Sequence, residues 1–151
     1  MYSWVIFLHV LSVLGFLLAH GSSAAVMVRL RSECEPARIQ ALLDLSQAVS
    51  GLMNASALLL LITGIAGGFM GAWWGRGWIW ASLALLIAVG LVMSVMGRLY
   101  FERLRRALVQ APDARPAALT AARDSGQPVL LAAVGLGGLV IITWLMWFKP
   151  F

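Results

Sequence analysis

Four runs of apolar residues, 2–28, 47–70, 78–97 and 129–148, constrain this chain more than any other feature. About 20 apolar residues at roughly 1.5 Å each cross the hydrocarbon core of a bilayer, some 30 Å thick. Backbone in that layer must satisfy its own hydrogen bonds, which a helix does within one segment. The expected fold is therefore all-α: a polytopic membrane protein, an antiparallel four-helix bundle forming a single domain over 1–151. Only 11% of the residues are charged, against about a quarter in soluble domains, so a soluble globule is excluded. The first run has no basic start and is too long for a signal peptide, so Met1 is expected to begin the mature protein.

Charge sets the expected orientation. Arg29, Arg31 and Arg38 lie between the first two runs, and Arg98, Arg103, Arg105, Arg106, Arg115 and Arg123 between the last two. Only Arg76 and Lys149 remain for the other side. Basic residues in short loops stay on the cytoplasmic face. Loops 29–46 and 98–128 are thus expected inside and both termini outside. Trp4, Trp73, Trp74, Trp78, Trp80, Trp144 and Trp147 all fall at the opposite ends of their helices, as interfacial indoles do. The sequence pI near 10.7 reports this orientation. The expected partners are the lipid bilayer and other membrane subunits or further copies of the chain, with no nucleic acid.

Within the first loop, Pro36 and the acidic residues before it read as a helix start. Leu42, Leu43 and Leu45 are expected to lie along the headgroups, with Arg38, Gln40 and Asp44 facing water. In the second loop, "RLYFERLRRALVQ" continues the third helix, with Glu102 spaced to pair with Arg98 and Arg106. "APDARP" breaks it. Asp113 is then placed to cap a short helix ending near Gly126, and Pro128 to open the last one. Between the second and third runs, "GGFMGAWWGRGW" reads as a tight turn whose glycines supply backbone freedom. Gly15, Ala19 and Ser23, Gly51 with Ala55, Gly90 with Ser94, and Gly135, Gly137 and Gly138 are small residues that suit close helix packing.

Both histidines, His9 and His20, lie in the first run. Three helical turns separate them, which places them on one face, about 16.5 Å apart along the axis. One metal ion cannot reach both. Two imidazoles at two depths suit either separate haem b groups or copper, with methionine as second ligand. Met53, Met93 and Met96 lie near the depth of His20, whereas only Met70 and Met146 approach that of His9. Alternatively each ring is held by a hydrogen bond, for which Ser12, Ser50, Asn54, Ser56 and Thr63 are available. Asn54, inside the second run, is expected to bridge helices. All six carboxylates fall in the arginine-bearing loops, so a proton relay or cation transporter lacks its usual intramembrane acid. The lone Cys34 excludes an intramolecular disulfide and a cysteine-based zinc site.

The segments "WVIFLHVLSVLGFLLAHGSSAAVMVRLR", "EPARIQALLDLS" and "GFMGAWWGRGWIWASL" resemble a group of small, uncharacterised bacterial membrane proteins with four helices. Through "LHVLSVLG" the first helix is also similar to copper-resistance D-type proteins and to b-type cytochromes, including four-helix protoporphyrinogen oxidases. The resemblance implies a bacterial inner-membrane location and a ligand role for His9. No nucleophile or phosphate-loop motif occurs. The expected function is accordingly that of a non-enzymatic subunit or scaffold in a larger membrane assembly or homo-oligomer. The alternative is a redox protein carrying haem b on His20 or His9, with copper handling behind it.

Overall fold

The computed structural model describes residues 1–110, 115–123 and 127–151. Five helices follow one another: α1 (Tyr2–Leu30), α2 (Pro36–Met70), α3 (Gly77–Leu108), α4 (Arg115–Arg123) and α5 (Gln127–Phe148). No strand occurs among the described residues. Four helices, α5 from Pro128 onward among them, are long and apolar enough to cross a membrane, and α4, at nine residues, is not. The fold is an all-α, polytopic membrane bundle.

Two helices outrun their apolar spans at the arginine-bearing end. α2 begins at Pro36, whose missing N–H falls in the first turn, where no intrahelical partner exists. α3 runs on through the arginines to Leu108. α3 ends ahead of "APDARP", as expected, and Arg115 and Pro116 of that motif open α4; the expected cap at Asp113 and the helix end near Gly126 lie outside the described residues.

Small residues set the register. A β-carbon built on Gly15 would lie 2.7 Å from Ser56 Oγ, one on Gly64 3.3 Å from the His9 ring, and one on Gly67 3.5 Å from Ile6. α1 and α2 therefore pack antiparallel. Gly138 opposite Val89 and Gly135 opposite Met93 place α5 antiparallel to α3 in the same way. Contacts of α1 with α5 and of α2 with α3 close the bundle. Gly51, Ala55, Gly90 and Ser94, expected to pack helices together, are instead exposed, and open space surrounds both glycines.

The continuous core sits at the arginine-bearing end. It joins Val26, Met27 and Leu30 of α1, Ile39 and Leu43 of α2, Tyr100, Leu104 and Ala107 of α3, Leu119 and Ala122 of α4, and Leu131 of α5. Leu43 is thus a core residue and does not lie along the headgroups, whereas Leu45 is exposed. Arg105 straps α3 to α2, its Nη2 donating to Gln47 Oε1 at 2.6 Å. Glu102 pairs with Arg106 at 3.3 Å; no pair with Arg98 forms among the described residues. Ahead of α2, Glu33 is largely buried and accepts the Cys34 and Glu35 N–H groups through one carboxylate oxygen. Those bonds, the Glu35 one foremost, hold its carboxyl below the usual range, with Arg38 and Arg29 contributing.

The opposite end is closed by aromatic rings. Trp73 meets Tyr2 edge-on and tilts against Trp78, and Trp74 packs on Phe69 and Trp80. The Lys149 ammonium lies 4.4 Å from the centre of the Trp73 ring, a cation–π contact. The Phe151 carbonyl accepts the Trp78 N–H, so the C-terminal residues seal this cap. The turn corrects one expectation about its glycines. None of them has a positive φ, and the left-handed position is taken by Ala72, at φ 52°. The glycines provide space instead: a β-carbon on Gly71 would lie 2.8 Å from the Trp73 ring, and one on Gly68 3.0 Å from Trp74.

Candidate functional site

The two histidines of α1 have different neighbours. His9 faces α2, where its Nδ1 lies 3.0 Å from Thr63 Oγ1. That hydroxyl is 2.7 Å from Leu59 O, its helical acceptor, with Leu60 O at 3.2 Å. A hydroxyl has one hydrogen to give. With it engaged by the helix, Thr63 accepts and His9 Nδ1–H donates. The geometry therefore assigns the Nδ1-protonated tautomer, with the lone pair on Nε2. Gly64 makes the approach feasible by offering no side chain to the ring.

His20 is buried, at 5% exposure. Phe16, one turn earlier, lies parallel to its ring at a centroid distance of 6.1 Å. Its Nε2 is buried with no hydrogen-bond partner among the described residues. That atom points at α5: a β-carbon on Gly135 would collide with it and would also lie 3.4 Å from Met93 Cε of α3. Three helices thus converge on one orphaned nitrogen. Of the methionines expected at this depth, Met93 is the one brought to that point. Met96 packs against the inner core, and Met53 is half-buried on α2.

A bare His/Met pair is a two-donor set that suits a soft ion. A porphyrin on Nε2 is a different matter, because the nitrogen abuts Gly135 and α1 would have to part from α5. No group of three or more His, Cys, Asp or Glu side chains able to hold a metal ion occurs among the described residues.

Asn54 departs from its expected role. It bridges no helices within the chain: it is exposed, and no hydrogen bond of its side chain is found among the described residues. It lies beside exposed Gly51 and Ala55, with Leu58 next along the same outward face of α2. Counting about 1.5 Å per residue from the start of run 47–70 places its carboxamide roughly 10 Å inside the apolar layer. The sequence carried this signal in an amide within a span; the side on which it lay was not readable.

Comparison with known proteins gives a family and nothing finer. Neither a curated protein nor a solved structure matches the chain, so the likeness of helix one to copper-resistance D-type proteins and b-type cytochromes finds no support there. The family described as Predicted integral membrane protein (DUF2269) matches residues 3–150. That match takes in all four spans and both ends of the bundle, and the chain belongs to the DUF2269 family of predicted integral membrane proteins.

Proposed function

We propose that the protein is a non-enzymatic membrane subunit that packs the outward face of α2 against a second transmembrane helix, in a homo-oligomer or a larger membrane assembly. The observation that carries this reading is the exposed Asn54 carboxamide within the apolar layer. An amide left without a partner in hydrocarbon costs on the order of several kcal/mol. A partner helix supplies that hydrogen bond, and Gly51 and Ala55 on either side let the two backbones approach. The loop charges support a topology with the arginine-bearing end facing the cytoplasm and both termini outside, and the resemblance of the sequence to bacterial membrane proteins supports the inner membrane.

Native mass spectrometry of protein extracted with its surrounding membrane tests the assembly. The expected result is a species larger than one chain for wild type and a single chain for Asn54→Leu. A solitary wild-type chain overturns the proposal.

One observation favours a second reading. The unpartnered His20 Nε2 beside Met93 offers the imidazole and thioether that can ligate haem iron together. Haem b on His20 requires α1 to part from α5 at Gly135, and it predicts a reducible Soret band in the purified protein that His20→Ala abolishes. Colourless, folded protein removes this reading, and copper loading of the same variant pair tests copper handling.

A further inference from the structure

We infer that the partner of α2 is a second copy of this chain: two α2 helices pack in parallel across a twofold axis, with Asn54 of one copy hydrogen-bonded to Asn54 of the other. The inference rests on the association through α2 proposed above and names its occupant. The Asn54 carboxamide, exposed and roughly 10 Å inside the apolar layer, needs a donor and an acceptor together. A carboxamide carries both. An identical group at the same level therefore completes it, each amide giving one N–H and accepting one.

Insertion puts the identical group there. Every copy carries the same loop charges and so enters the bilayer the same way round. A twofold axis along the membrane normal then brings each interface residue to the depth of its own counterpart. The other helices offer no exposed polar group at that depth. Gly15 faces Ser56, and His20 with Met93 faces Gly135, which puts the exposed side chains of Leu18, Leu91 and Leu136 near the level of Asn54. A contact between α2 and a different face of a second copy would thus leave the amide unpaired.

The face also fits its own copy in shape. Gly51, Ala55 and Leu59 recur at four-residue steps, Asn54, Leu58 and Ile62 form the ridge beside them, and all six are exposed. Nothing in the chain lies within 4 Å of a β-carbon built on Gly51. Small residues four apart let two backbones close in at a crossing of about 40°, with the two asparagines beside the crossing point. Asp44, exposed toward the arginine-bearing end of α2, would repel its counterpart in a straight pair. It lies about 13.5 Å from a crossing near Met53, where that angle carries the axes roughly 9 Å apart sideways. The Gln40 amide also donates to it at 2.9 Å.

The test uses the full chain in its membrane, with Cys34→Ser as the background for single cysteines. Under mild oxidation Ala55→Cys and Leu58→Cys are expected to form disulfide-linked homodimers, whereas Leu18→Cys on α1 and Val140→Cys on α5, equally exposed to lipid, are not. Native mass spectrometry is expected to give twice the chain mass. In vesicles of increasing lipid content, energy transfer between copies labelled at Cys34 measures the affinity. Asn54→Leu is expected to weaken the dimer about tenfold, the loss of two interhelical hydrogen bonds of the modest strength they have in membranes, and Asn54→Gln, which keeps the amide, to retain most of the affinity. A complex with a different chain and no crosslink at Ala55→Cys or Leu58→Cys overturns the inference and spares association through α2; a single chain overturns both. Equal crosslinking at Leu18→Cys and Val140→Cys, or an Asn54→Leu dimer as tight as wild type, also overturns the inference.

Discussion

A single methyl group at Gly135 decides whether α1, α3 and α5 can meet, because a β-carbon there would occupy the place of His20 Nε2. Gly135→Ala is therefore expected to destabilise the bundle by about 1–3 kcal/mol, the usual cost of overpacking, as measured by unfolding in micelles. Gly21→Ala, with nothing within 4 Å of the new carbon, should be neutral or slightly stabilising, since alanine is the better helix former. Equal losses in the two variants would contradict the packing described. Glu33 makes a prediction in pH. Its carboxyl titrates below the ordinary range because the charged form accepts the Glu35 and Cys34 N–H groups. A depressed folded value means that the stabilisation is present above the unfolded value, about 4.3. It is lost as pH falls through the lower folded value. Thermal unfolding followed from pH 6 down to about pH 3 should show this loss in wild type and a smaller one in Glu33→Gln. Identical profiles would remove Glu33 from the account. Depth was readable at this scale, because 1.5 Å per residue from a span edge brings His20 and Met93 to one level. Rotation was not. All sides of these spans are apolar, so no periodicity shows which way Asn54 or Gly51 turns, and both face outward.

The turn between α2 and α3 stores backbone strain at Ala72, whose φ of 52° lies in the left-handed region. An L-residue there costs about 1–2 kcal/mol, and glycine avoids that cost while losing more entropy on folding. Ala72→Gly is expected to raise stability by about 0.5–1 kcal/mol in the same micelle assay; a clear loss would show that the methyl group packs in the aromatic cap. The sequence announced a turn here through its glycines and tryptophans but misassigned their roles. Composition does not say which residue of a Gly-rich segment takes the left-handed position, and the glycines are needed as space for indole rings. Helix extents were more legible. Pro36 marks the start of α2, and the Glu102 to Arg106 spacing carries α3 beyond the membrane, because both signals act within one turn of one helix. Leu43 was misplaced for the opposite reason: an amphipathic stretch can bury its apolar side in lipid or in protein, and only the position of α3 and α4 decides between them.

Across the whole molecule, packing and membrane exposure separate. Four helix ends and α4 converge in a core under the arginines, whereas within the spans large side chains such as Leu18, Leu58, Phe69 and Val140 point outward. A soluble protein could not present so much apolar surface; a bilayer or neighbouring subunits cover it. The number of spans was legible because length and hydropathy measure the same thing that the bilayer does. Which helices pair was not, since an antiparallel bundle of four similar spans admits several arrangements. The claim on which the account turns is that the arginine-bearing end faces the cytoplasm and the aromatic cap faces outward. Cys34, the chain's single cysteine, is exposed at the arginine-bearing end and reports this directly. A membrane-impermeant maleimide applied to intact cells should leave it unlabelled and should label it fully once the membrane is opened. Labelling of Cys34 in sealed cells would invert the bundle and contradict the account.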